Sequence, residues 1–134
     1  MKSVQHLPVY GKVLTTFEYD FGNFFVFEGF VVSEINEGVI YSWENHARLV
    51  TRDITEIIPE YSNLIYISNR IYSYSVVPSD WIKFFNNQFE LRAYAVVGHT
   101  TGSFLNMVIE ALFFKKNIKQ FTNLEEAINW AETF

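Results

Sequence analysis

The sequence predicts an α/β fold, an α+β mixture of strands and helices. Three observations predict it. Residues 92–134 read in order as an apolar strand (RAYAVVG), a polar loop (HTTGS), a helix (FLNMVIEALFFKK), a short strand (IKQF) and a helix (NLEEAINWAETF). Strands that alternate with helices at this spacing form a largely parallel layer with crossover helices against it. The first third of the chain is instead dense in aromatic and β-branched residues with turn signals between them. A long amphipathic segment, 42–58, lies between these two regions.

Residues 1–12, with Pro8 and Gly11, read as a leading arm, and 13–134 as one domain. A domain of this size buries roughly two thirds of the surface its unfolded chain exposes. Val13–Tyr19 and Asn23–Glu28 flank Asp20, Phe21 and Gly22, the pattern of an antiparallel hairpin. Gly29 then punctuates before a third strand, Phe30–Ile35, which closes at Asn36-Glu37-Gly38. The first helix begins at Ser42, whose hydroxyl can cap free N–H groups, and Pro59 ends it after Ile58. Trp43, Ala47, Val50, Ile54, Ile57 and Ile58 form its inward stripe. Leu64–Ile67 follows as a short strand, and a brief helix is expected from Ser79, turning Trp81, Ile82 and Phe85 inward. Leu91–Val97 is the most strand-like run. The helix 103–116 has Ser103 as its cap candidate and is apolar nearly all round, as a buried or interfacial helix would be. The last helix opens on Asn123-Leu124-Glu125-Glu126, an asparagine cap with a carboxylate at the third helical position, worth about 1 kcal/mol.

Composition narrows the function classes. There is no cysteine, which removes disulfides, thiolate metal sites and cysteine nucleophiles. The net charge of −5 disfavours nucleic acid or an anionic membrane as the main partner. Lys115, Lys116 and Lys119 gather where a helix C-terminus is expected, a place that favours cations in any case. No apolar run reaches the ~18 residues of a membrane span, and the opening residues do not read as a secretory signal. A soluble, cytoplasmic protein is therefore expected. The three histidines, His6, His46 and His99, show no metal-ligand spacing, and no cofactor motif is present. Glu34 and Glu37 read as turn acids.

The order of elements, with Glu34-Ile-Asn-Glu-Gly38 leading into a helix, the strand end Ala95-Val-Val-Gly98 and the closing Phe121-Thr-Asn-Leu-Glu-Glu-Ala-Ile-Asn-Trp130, resembles the SpoIIAA-like branch of the STAS superfamily. The segment 66–78 (YISNRIYSYSVVP) is similar to small bacterial members of that branch. The resemblance implies a small mixed β-sheet with helices packed mainly on one face, acting as a non-enzymatic regulatory or protein-interaction module. In antagonists of the sigma-factor pathway, a phosphorylatable serine opens the helix after a central strand, within an Asp-Ser-Ser-Gly-like loop. The corresponding loop here is Ser68-Asn69-Arg70-Ile71, which keeps one serine but lacks the aspartate, the second serine and the glycine.

Physical reasoning directs attention to the same place, because ligands of open α/β sheets gather beyond the carboxyl ends of parallel strands. There Ser68, Asn69 and Arg70 would face His99, Thr100 and Ser103 across one shallow anion site, with the planar fork of Arg70 holding a carboxylate or phosphate. Ser103 reads equally as a plain helix cap, Asn69 as a turn residue and Arg70 as the partner of a surface carboxylate. Tyr66, Tyr72, Tyr74 and Trp81 would line an apolar pocket or fill core, and Phe113 and Phe114 would pair two copies in a homodimer. A carrier or sensor of a small apolar or anionic ligand is thus the alternative function. A small hydrolase or transferase using Ser68, His99 or Arg70 comes third.

Overall fold

The N-terminal aromatic runs pair as the sequence predicts in the computed structural model, which describes residues 2–58, 64–77, 80, 91–98 and 117–134. Strands β1 (Thr15–Tyr19) and β2 (Gly22–Phe27) form an antiparallel hairpin with Tyr19 opposite Gly22, and β3 (Phe30–Ile35) runs antiparallel to β2. After β4 (Ile40–Tyr41) the chain enters a wide π-type turn, Trp43–Ala47, continuous with helix α1 (Arg48–Ile57). Ser42 caps it as expected, its hydroxyl accepting the Asn45 N–H at 3.2 Å. Strand β5 (Ile65–Asn69), the short β6 (Ser75–Val76), β7 (Ala93–Val97), β8 (Asn117–Phe121) and helix α2 (Leu124–Thr133) complete the described elements. Asn123 caps α2 by accepting the Glu126 N–H.

Six strands form one mixed sheet in the order β1-β2-β3-β5-β7-β8, in which β3, β5, β7 and β8 are mutually parallel. A second, two-stranded parallel sheet pairs β4 with β6. Neither of its strands is legible in the sequence, since two-residue strands carry no periodicity. The segments around 79–90 and 99–116, including the helices expected there, lie outside the described residues.

The mixed α/β fold is as expected, but the described helices do not share a face. Helix α1 covers one side of the sheet, where Trp43, Ala47, Val50 and Ile54 pack on Phe24, Val26, Val31, Tyr66, Tyr94 and Val96. Helix α2 covers the other, with Leu124, Ala127 and Ile128 against Ile65, Ile67, Ala93, Ala95 and Val97. The sequence of the strands accounts for this division. Phe24, Phe25, Val26 and Phe27 of β2 are all buried, as are all five residues of β7. Strands apolar on alternate sides need both sides covered. The α2 side of β7 offers the small residues Ala93 and Ala95, which lets the Ala127 backbone approach closely, while Tyr94 and Val96 fill the α1 side.

The leading residues complete the second cover. Two 3₁₀ turns, Val4–His6 and Pro8–Lys12, lay Val4 and Leu7 into the cluster beneath α2. On the first face, Tyr19 donates to Asp53 of α1 at 2.6 Å, and burial together with this acceptor raises the phenol's pKa above its usual value. Ile57, expected inward, is half exposed at the end of α1, and Phe134 reaches solvent while stacking edge-on against Trp130.

Gly22 fixes how tightly the hairpin meets β3. A Cβ at this position would lie 2.6 Å from the Glu34 carbonyl oxygen and 2.8 Å from the Ile35 Cα, and its φ of 154° is itself unfavourable for other residues. Both contacts are backbone, so neither can swing aside. Gly22→Ala is expected to cost about 2 kcal/mol of stability, read as a lower midpoint of urea unfolding with an unchanged slope.

Candidate functional site

The parallel strands β3, β5 and β7 end side by side, and the ends of β3 and β5 carry Ser33, Glu34, Ser68 and Asn69. Ser68 and Asn69, expected in a loop, are instead the final residues of β5, paired with Val96 and Val97 of β7. Successive strand residues point to opposite faces. Ser68 therefore joins the α1 side and Asn69 the α2 side, so the expected single constellation is split in two.

On the α1 side Ser68 is 1 % exposed and Arg70 only 4 %. The Ser68 hydroxyl lies 2.8 Å from the Tyr74 hydroxyl and accepts the Arg70 Nε–H at 3.0 Å. The guanidinium also sits over the Tyr74 ring, 5.3 Å from its centroid, and donates through Nη2 toward the Tyr94 hydroxyl at 3.5 Å. Tyr66 stacks on Tyr94 at 5.3 Å and is core. This cluster is a closed network: Arg70 is turned inward rather than offered to an external anion, and the Ser68 oxygen is hidden from one. Tyr72, expected to line a pocket with Tyr66 and Tyr74, is instead 48 % exposed. Trp81, His99, Thr100, Ser103, Phe113 and Phe114 lie outside the described residues.

On the α2 side the centre is Glu34, 8 % exposed, a residue that reads from the sequence as a turn acid. It is the fifth residue of β3, and its carboxylate faces the arm. Oε1 accepts the Ser3 hydroxyl at 2.6 Å; Oε2 accepts the Val4 N–H at 2.8 Å and the Asn69 Nδ2 at 3.0 Å. Asn69 donates its other hydrogen to the Lys2 carbonyl at 3.0 Å. Ser3 in turn caps the first 3₁₀ turn through the Gln5 N–H. A charge in the run Phe-Val-Val-Ser-Glu-Ile is the signal that could have identified Glu34, because an acid inside a buried central strand requires several donors.

Next to this hub a pocket of about 240 Å³ opens between the arm, the end of β5 and the start of α2. Lys2, Leu7, Asn69, Thr122, Asn123, Leu124 and Glu125 line it. Of the residues expected to bind a ligand, Asn69 alone among those described reaches this pocket. Lys2, Thr122, Asn123 and Glu125 were not anticipated, since only the fold brings them together.

Among the described residues, no three of His, Cys, Asp and Glu are grouped to hold a metal, and no helix is long and apolar enough to cross a membrane. His6 is exposed in the arm. His46 packs on Phe21 and Tyr41 at 4.6 and 5.3 Å, and its Nδ1 accepts the Ser42 N–H at 2.9 Å. No family model, curated protein or solved structure matches the chain.

Two predictions follow from this geometry. Glu34→Ala would leave the buried Val4 N–H and one hydrogen of the Asn69 amide without their acceptor, at a cost of roughly 3 kcal/mol; hydrogen exchange should show the Val4 amide losing protection while amides of α1 keep theirs. Burial lowers the pKa of His46 from its ordinary 6.5. Below that value the unfolded chain binds the proton more readily than the folded one, so the His46 contribution is intact above about pH 6.5 and is lost as pH falls. Urea midpoints measured at about pH 7.5 and pH 5 should differ less in His46→Asn than in the parent.

Proposed function

We propose that the chain is a STAS-like, non-enzymatic module of the cytoplasm that regulates or assembles with a protein partner. The hydrogen-bonded closure of Ser68 and Arg70 supports binding over acyl or phosphoryl chemistry at this end of the sheet. A nucleophile needs access to its substrate and a base within reach, whereas the Ser68 hydroxyl is buried between a phenol and a guanidinium. The tight packing of Tyr66 on Tyr94 likewise supports a filled core at that place over a lipid-like cargo.

The observation that carries the reading is a pair of large apolar side chains held out on a braced ledge. Ile40 is 65 % and Tyr72 48 % exposed. The ledge is the small sheet beyond the ends of β3 and β5, closed by Gly38 N–H to Ser73, Ser75 N–H to Val39 and Val77 N–H to Tyr41, all at 2.8–3.0 Å. Isolated exposed apolar residues are ordinary. Ile40 stands in the paired ledge and Tyr72 immediately precedes Ser73, whose carbonyl is paired, so the backbone that carries them is already ordered, which lowers the cost of docking. A homodimer paired through the apolar run that contains Phe113 and Phe114 is a second reading, tested by crosslinkers placed at 113 and 114.

Photo-crosslinking residues placed at 40 and at 72 in the cell of origin are expected to give one discrete adduct, absent when the crosslinker is at exposed position 18. An adduct of heteromeric mass identifies a protein partner, and a doubled mass identifies a second copy seated on the ledge. Uncrosslinked chain alone from both positions would overturn the proposal.

A further inference from the structure

The six-stranded sheet ends in two open edges, β1 and β8, and among the described residues no strand pairs with the outer side of either. The open stretch of β1 has defined limits. At one end the chain turns back through Asp20 and Phe21, with Tyr19 opposite Gly22. At the other the Leu14 N–H is drawn inward to the Val26 carbonyl at 2.8 Å, although Thr15 is the residue opposite Val26, the mark of a bulge. Between these limits the alternation of an antiparallel ladder decides what the edge offers. The residues flanking a two-residue turn form a hydrogen-bonded pair, so Tyr19, Phe17 and Thr15 spend their N–H and C=O groups on Gly22, Phe24 and Val26. Thr16 and Glu18 direct theirs outward. Such an edge is a template for another strand unless lysine, proline or a covering segment blunts it. The run Thr-Thr-Phe-Glu-Tyr has neither lysine nor proline.

We propose that this edge pairs with the same edge of a second copy, antiparallel and centred on Phe17, so that two six-stranded sheets join into one. The charges select this occupant and this register. Full overlap of two antiparallel copies of one strand places its middle residue on the two-fold axis. In β1 that residue is Phe17, and Glu18, the single charge of the strand, falls opposite the partner's Thr16. In β8 (Asn-Ile-Lys-Gln-Phe) it is Lys119, so the same pairing there would set two lysines face to face, which is destabilising. The backbone fits the register as well, because each Thr16 meets a Glu18 and the two exchange both N–H···O bonds. On the α1 side the stacked row of Phe17, Tyr19 and Phe21, with centroids 6.3 and 4.9 Å apart, continues across the axis through the partner's Phe17. This interface involves neither the ledge at Ile40 and Tyr72 nor the run at 113–114.

The chain contains no cysteine, so single cysteines report the register without background. In the proposed pairing position 17 faces itself and position 15 faces 19, at non-hydrogen-bonded sites whose Cα atoms lie about 4.5 Å apart, within disulfide reach. Under mild oxidation F17C should form a disulfide dimer and T15C mixed with Y19C a mixed dimer, whereas T15C alone and K119C stay monomeric. F17C trims a partly buried ring, so the T15C and Y19C mixture reads the register independently of it. The parent chain should sediment as a dimer at about 100 µM. Thr16→Glu sets a carboxylate opposite the partner's Glu18 and should weaken association at least about fivefold, and Thr16→Lys should tighten it, with amides of α1 equally protected in both. A monomeric parent, a dimer indifferent to the charge at 16, or disulfides that form as readily at 119 as at 17 would overturn the proposal.

Discussion

A sheet that is apolar on both faces must be covered twice, and in this chain the second cover depends on one carboxylate. Helix α2 alone leaves the ends of β2 and β3 uncovered, and the arm supplies Val4 and Leu7 to fill the gap. The arm also carries polar groups that pair with this carboxylate. Glu34 provides the anchor with three donors, and Asn69 extends it to the Lys2 carbonyl. A buried charge is costly unless its hydrogen bonds are complete. Here the arm is what completes them, so neither the anchor nor the cover is stable without the other.

The two polar clusters at the strand ends show how strand geometry divides chemistry. Ser68 and Asn69 are neighbours in sequence yet serve opposite sides of the sheet. One belongs to a network of phenols and a guanidinium sealed under the α1 side, the other to an amide hub that borders open space. A reading of the sequence that places both in a loop brings them together; the extension of β5 by two residues separates them. The Ser68 network is closed under the α1 side, whereas Asn69 ties the arm to the sheet beside a pocket.

Much of the scaffold was legible because it follows from period and punctuation. The bounds of β3 coincide with the apolar run between Gly29 and Asn36, and the caps at Ser42 and Asn123 are made as their residue types imply. The end of β5 was not legible: Ser, Asn and Arg favour turns locally, and only pairing with β7 holds them in the ladder. The role of Glu34 was missed because its donors come from residues some thirty positions earlier and thirty-five later. Of the candidate site, Asn69 was legible as a polar residue at a strand end. Lys2, Thr122 and Glu125 could not be, because no local pattern relates the first residues of a chain to the start of its last helix.

The anchoring of the arm also has a consequence for the order in which the chain can fold. Val4 leaves the ribosome before its acceptor on Glu34 and the amide of Asn69, and the strands and helix that enclose Leu7 follow later still. Contacts of such long sequence separation form late, after loop-closure entropy has been met by the sheet. The arm is thus made well before the groups that secure it. Until β8 and α2 have arrived, the apolar side chains of β2 and β3 that face the arm have no lasting cover, and the nascent chain passes through a period in which this face is the one open to chaperones or to mispairing.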